Sequence, residues 1–66
     1  MKVLTAAQVK RLPVGTDVYI VNNTTGERGK LWILRCGRRK MLKGPMTPVP
    51  MMIKDMDGMH YEEVEI

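Results

Sequence analysis

At 66 residues, with 27% charged and 5% aromatic residues and a formal net charge of +4, the chain is one small domain near the lower size limit for folding without staples. A single cysteine, Cys36, excludes an intramolecular disulfide; a single histidine, His60, excludes a Cys/His zinc cluster; the lack of serine excludes a Ser/His/Asp triad. No segment reaches membrane-spanning length, and Gln8, Lys10 and Arg11 interrupt the N-terminal apolar run before signal-peptide length, so a cytoplasmic protein without metal or cofactor is expected.

Thr5-Ala6-Ala7-Gln8 is a capping box, in which the Thr5 hydroxyl accepts from the Gln8 backbone N–H and the Gln8 side chain reaches back. Leu4 and Val9 flank it at the spacing of a hydrophobic staple. A short helix over 6–11 is therefore predicted, ended by Pro13, which disfavours helical backbone at Leu12. Too short to stand alone, it must lay Ala6, Val9 and Leu12 against a sheet. Pro13-Val14-Gly15-Thr16 then turns the chain into a strand over 17–22, where Val18 and Ile20 face one way and Tyr19 and Val21 the other, the mark of a central strand. Asn23-Thr24-Thr25-Gly26 is expected to be a polar, mobile loop, with Gly29 a second permissive position before Lys30 opens the next strand.

Leu31-Trp32-Ile33-Leu34 runs unbroken toward Gly37, and Met41 and Leu42 follow, which predicts a buried hairpin with strands over 31–36 and 39–43. A Gly37-Arg38 turn, glycine first as type II′ requires, sets Cys36 opposite Arg39, Arg35 opposite Lys40, Leu34 opposite Met41 and Ile33 opposite Leu42. Arg35 and Lys40 are then like charges directly opposite, a destabilising pair that an anionic partner or an adjacent acidic strand would relieve. Gly44-Pro45-Met46-Thr47-Pro48-Val49-Pro50 reads as an extended connector of polyproline II character. The chain closes with a hairpin of 51–56 and 59–66 around Asp57-Gly58, which sets Met56 by Met59, Lys54 by Tyr61 and Ile53 by Glu62. Its second strand, carrying Glu62, Glu63 and Glu65, is either an edge blunted by charge or the acidic neighbour of Arg35 and Lys40.

Five short strands, polar turns and one small helix make a mainly β fold, a five-stranded barrel or open sheet. In the spacing of GTDVYIV, GKLWILRCGRRKML and MMIKDMDGMHYEEVEI the chain resembles an SH3-like small barrel. Its parts are a helical lead-in over 4–12, central strands with a basic hairpin over 17–43, the connector over 44–50 and the C-terminal hairpin over 51–66. The resemblance is one of architecture. The acidic, tyrosine-rich groove of signalling SH3 domains is missing, so proline-peptide binding is not implied, and the strands are short for an OB barrel.

Charge is placed unevenly. Ten of the eleven Lys/Arg lie in residues 1–43 against Asp17 and Glu27, whereas residues 44–66 hold Lys54 against five acidic residues. Basic strands pairing with acidic ones would explain this structurally; a positive side turned toward nucleic acid would explain it functionally. Arg35, Arg38, Arg39, Lys40 and Lys43 crowd the hairpin tip, with Arg28 and Lys30 extending the patch. Phosphate contact by these seven is the expected function: a non-enzymatic DNA- or RNA-binding module of a bacterial or mobile-element protein, with little sequence preference. Tyr19 and Tyr61 are candidate base-stacking residues, and Trp32, set among aliphatics, is expected in the core. Seven methionines and no phenylalanine support a second expectation, a protein partner or self-association through Met51, Met52, Met56 and Met59, against their use as gap-filling core. Cys36 lies beside cations that would activate an exposed thiol, but reads first as a small buried hydrophobe. Asp55, Asp57 and Gly58 do not form a calcium loop, because counting from Gly58 places Ile53 and Val64 at the first and last ligand positions.

Overall fold

The computed structural model describes residues 2–64. Along the chain lie β1 (Val3–Leu4), α1 (Ala6–Lys10), β2 (Asp17–Asn22), β3 (Arg28–Cys36), β4 (Arg39–Lys43), β5 (Met51–Met52) and β6 (Met59–Glu63). The strands form one antiparallel sheet in the order β1-β6-β2-β3-β4-β5. The mainly β class agrees with expectation, but the described residues form six strands rather than five, and the sheet is open because its edge strands β1 and β5 do not pair. Pro48 and Pro50, which cannot donate to a ladder, hold β5 to two residues.

The capping box forms as expected. Thr5 Oγ1 accepts from the Gln8 N–H at 3.2 Å and Gln8 Oε1 from the Thr5 N–H at 2.8 Å, and Asp55 Oδ1 accepts from the Ala6 N–H at 3.1 Å. Three of the donors left over at a helix start are thereby satisfied. The helix ends one residue short of the predicted 6–11. It lays Ala6 and Val9, with Leu12 beyond it, on one face of the sheet, against Leu4, Val18, Leu31, Ile33, Leu42, Ile53 and Tyr61. Val9, Val18, Ile33 and Leu42 are fully buried, each worth about 2 kcal/mol by transfer from water. Among the described residues no helix covers the opposite face of the sheet.

The central hairpin has the predicted register at every pair. Gly37 takes φ 66° while Arg38 keeps a negative φ, as a type II′ turn requires. Three expectations fail. β3 begins at Arg28, with Gly29 inside it opposite Ile20 rather than serving as a turn. The 23–26 loop is polar as expected and is built on Asn22, whose Oδ1 accepts from the Thr24 and Thr25 N–H groups, an Asx turn. The connector is folded rather than extended, since Thr47 Oγ1 accepts from the Gly44 N–H at 2.8 Å and donates to the Gly44 carbonyl at 3.0 Å. Here the chain passes so close to β3 that a Cβ on Gly44 would lie 2.5 Å from Leu31 Cδ2 and 3.1 Å from the Lys30 carbonyl oxygen.

The third failure is the C-terminal hairpin. Asp57-Gly58 does turn the chain, with Gly58 at φ 78°, but 53–56 leave the sheet to bury Ile53, and β6 inserts between β1 and β2. Two-sided pairing satisfies more backbone groups than a hairpin edge would, and it buries Tyr61 between Leu4 and Ile20. Lys54 and Tyr61 still meet, though not as a strand pair: the Tyr61 hydroxyl donates to the Lys54 carbonyl at 2.8 Å. Residues 65 and 66 of the expected strand lie outside the described residues.

Candidate nucleic-acid interface

β3 and β4 outrun β2, whose last ladder partner on β3 is Trp32, so the tip that carries Arg35, Arg38, Arg39 and Lys40 projects beyond it. The tip meets the C-terminal end of α1. Lys40 Nζ donates to the Leu12 carbonyl at 2.6 Å and to the Lys10 carbonyl at 3.2 Å. The Lys10 carbonyl is an acceptor left over at a helix end, where a cation is also favoured by the dipole, and the Leu12 carbonyl lies just beyond it. The acidic strand expected from sequence is not the neighbour of the Arg35–Lys40 pair; Lys40 turns to backbone carbonyls instead. Glu62 and its strand lie elsewhere in the sheet. Lys10, Arg35, Arg38, Arg39 and Lys40 together line a shallow recess of about 380 Å³ without a carboxylate in its wall. Among the described residues Arg35, Arg38 and Arg39 have no acidic partner, and all three are exposed. Lys10 was not a sequence candidate, because only the docking of α1 brings it here.

The remaining cations occupy the uncovered face. Strand alternation puts Arg28, Lys30, Trp32, Leu34 and Cys36 of β3 on that side, with Asp17, Tyr19 and Val21 of β2 and Arg39, Met41 and Lys43 of β4. Lys30 Nζ is 3.6 Å from Asp17 Oδ2, Lys43 Nζ donates to the Thr47 carbonyl at 3.0 Å, and the Arg28 guanidinium lies over the Tyr19 ring, 5.8 Å from its centroid. Two aromatic expectations are reversed. Trp32 is 37% exposed, while Tyr61 is 2% exposed and holds its hydroxyl on Lys54, so Tyr61 has no ring face to offer a base. Tyr19 is half-buried on the open face.

On the same face a carboxylate is buried. Glu62, 8% exposed, receives His60 Nε2 on Oε2 at 2.6 Å and Arg28 Nη2 near Oε1 at 3.2 Å, and His60 Nδ1 contacts Asn23 Oδ1. The hydrogen bond from His60 holds the Glu62 carboxyl below the usual carboxylate range, against the opposing effect of desolvation and with the help of the Arg28 charge. Burial, partly offset by the bond to Lys54, pushes the Tyr61 hydroxyl up.

The four methionines do not form one surface. Met51 and Met56 pack against the core. Met52 and Met59 are exposed, but on strands far apart in the sheet order. Cys36 is half-buried opposite Arg39. His60 lies level with Arg28 across β2, eight residues or about 26 Å along β3 from Cys36, which leaves the thiol without an imidazole. Among the described residues no group of three His, Cys, Asp or Glu could hold a metal ion, and no helix is long and apolar enough to cross a membrane. Comparison with protein-family models, curated proteins and solved structures finds no match to the chain.

Proposed function

We propose that the protein is a small non-enzymatic nucleic-acid-binding module that holds phosphates at the tip of the β3–β4 hairpin, on a sheet arranged as an opened SH3-like small barrel. The carrying observation is the recess between hairpin tip and helix end, walled by five cations and no carboxylate. Lys40 is committed to the helix carbonyls, and Arg35, Arg38, Arg39 and Lys10 supply the contacts. A guanidinium presents a planar fork of donors matched to phosphate oxygens, and exposed side chains meet a backbone without reading its bases. The barrel likeness is supported by the helical lead-in, the β2-β3-β4-β5 meander and the return of β6 beside β2.

The test is a titration of labelled single- and double-stranded oligonucleotides across a salt series, with an Arg35, Arg38 and Arg39 triple-alanine variant alongside. Affinity should fall linearly on a log–log plot against salt, and loss of three phosphate contacts should flatten that slope by about 2 for a single strand. Absence of binding at low salt, or an unchanged slope in the variant, would overturn the proposal.

A further inference from the structure

The face of the sheet turned away from α1 carries an exposed tryptophan among cations. Trp32 stands in β3 with Lys30 and Leu34 two residues to either side, Lys43 opposite it on β4 and Asp17 opposite it on β2. Tyr19 lies one diagonal step away, under the Arg28 guanidinium. Arg39, opposite Cys36, continues the cations to the hairpin tip. An aromatic of this size is ordinarily drawn into the core, yet Leu31 and Ile33, its neighbours in sequence, take the buried side at 5% and 0% exposure. The two carboxylates of this central region are already engaged, Asp17 by Lys30 and Glu62 by His60 and Arg28, so the surface keeps its positive character.

We infer that this open face is a base-stacking platform for single-stranded nucleic acid, with Trp32 and the Arg28 guanidinium over Tyr19 receiving bases and Lys30, Lys43 and Arg39 following the backbone toward the tip. The inference rests on the nucleic-acid reading above and assigns it a substrate class. Charge complementarity selects a polyanion for a face that mixes rings with cations. Ring exposure selects a single strand, because an unpaired base can lie flat on an indole whereas a duplex keeps its bases stacked and offers mainly phosphates. At the Tyr19 end a base meets the guanidinium plane backed by the phenol ring. β3 spans nine residues, a track of about 26 Å between its end residues.

The experiment uses the full chain with a twelve-residue oligothymidylate and its duplex with oligoadenylate. Kd is read by anisotropy of an end label, and emission is read from Trp32, the only tryptophan. The unmodified protein should bind the single strand with quenching of Trp32, and the duplex without it. Trp32→Leu should weaken single-strand binding about 10-fold and leave duplex binding unchanged; Trp32→Phe, which keeps a ring, should lose less. An unquenched Trp32 at saturating single strand overturns the inference, and needs no variant that must fold. So does an unchanged single-strand Kd in a folded Trp32→Leu, or a doubled mass in solution with Trp32 shielded by a second copy. In those cases salt-dependent binding lost in the arginine triple variant would leave the hairpin-tip reading standing. If neither oligonucleotide binds at low salt, both readings fall.

Discussion

Lys40→Met separates a cation that holds the fold from those free to bind. The substitution keeps the unbranched stem and removes the ammonium that bonds the carbonyls of Leu12 and Lys10 at 2.6 and 3.2 Å. A hydrogen bond to a charged group contributes about 1.5–3 kcal/mol, but these carbonyls are only partly buried and water replaces some of the loss. Removing the like-charge pairing with Arg35 returns about 0.2–1 kcal/mol. The expected net destabilisation is about 1–2 kcal/mol, which for a domain of this size lowers Tm by roughly 5–15 °C. Urea unfolding followed by circular dichroism should show a lower midpoint with an unchanged slope. Arg35→Met supplies the contrast: it relieves the same repulsion and breaks no bond, so its midpoint should stay or rise slightly. A Lys40→Met midpoint at or above that of the unmodified chain, or an Arg35→Met variant that loses more stability than Lys40→Met, would refute the assignment of Lys40 to the helix end.

Gly44→Ala should destabilise by about 1–3 kcal/mol, measured by the same unfolding curves, because the added methyl meets Leu31 and the Lys30 carbonyl. Tyr61→Phe should cost about 1 kcal/mol through loss of the bond to the Lys54 carbonyl, and thermal melts will read it. Glu62 has its carboxyl pKa lowered on folding, so its ionised form contributes stability that is complete above the unfolded carboxyl range near pH 4 and is lost as pH falls through the lower folded value. Glu62→Gln should therefore be less stable than the unmodified chain at neutral pH and converge with it in acid, in unfolding midpoints collected from pH 7 to pH 2.

What the sequence showed was what neighbouring residues decide. The Thr5–Gln8 box and the Gly37-Arg38 turn are satisfied within a few residues of themselves, so cap and register could be read without knowing the rest of the molecule. Asp57-Gly58 likewise announced a turn, but not which strand β6 would join, because that depends on Tyr61 finding Leu4 and Ile20 from far along the chain. The Arg35–Lys40 conflict pointed to the right place, but the acidic strand is not its neighbour: Lys40 turns to backbone carbonyls at the end of a helix, which leave no trace in side-chain identity. Trp32 was legible and was misread. Taken as an unbroken apolar run, Leu31 to Leu34 looks buried throughout; taken at a period of two, it puts Leu31 and Ile33 inside and Trp32 outside.

The outermost strands of the sheet, Val3–Leu4 and Met51–Met52, are also its shortest. Unpaired strand backbone is a template on which a second molecule can add its own strand, and long flat borders are where assembly into fibres begins. Here the flanking stretch of β4 carries Arg39 and Lys40, and the first strand gives way at once to the Thr5 cap. Brevity at both borders, with charge beside one of them, disfavours strand addition in the two directions in which the sheet could grow.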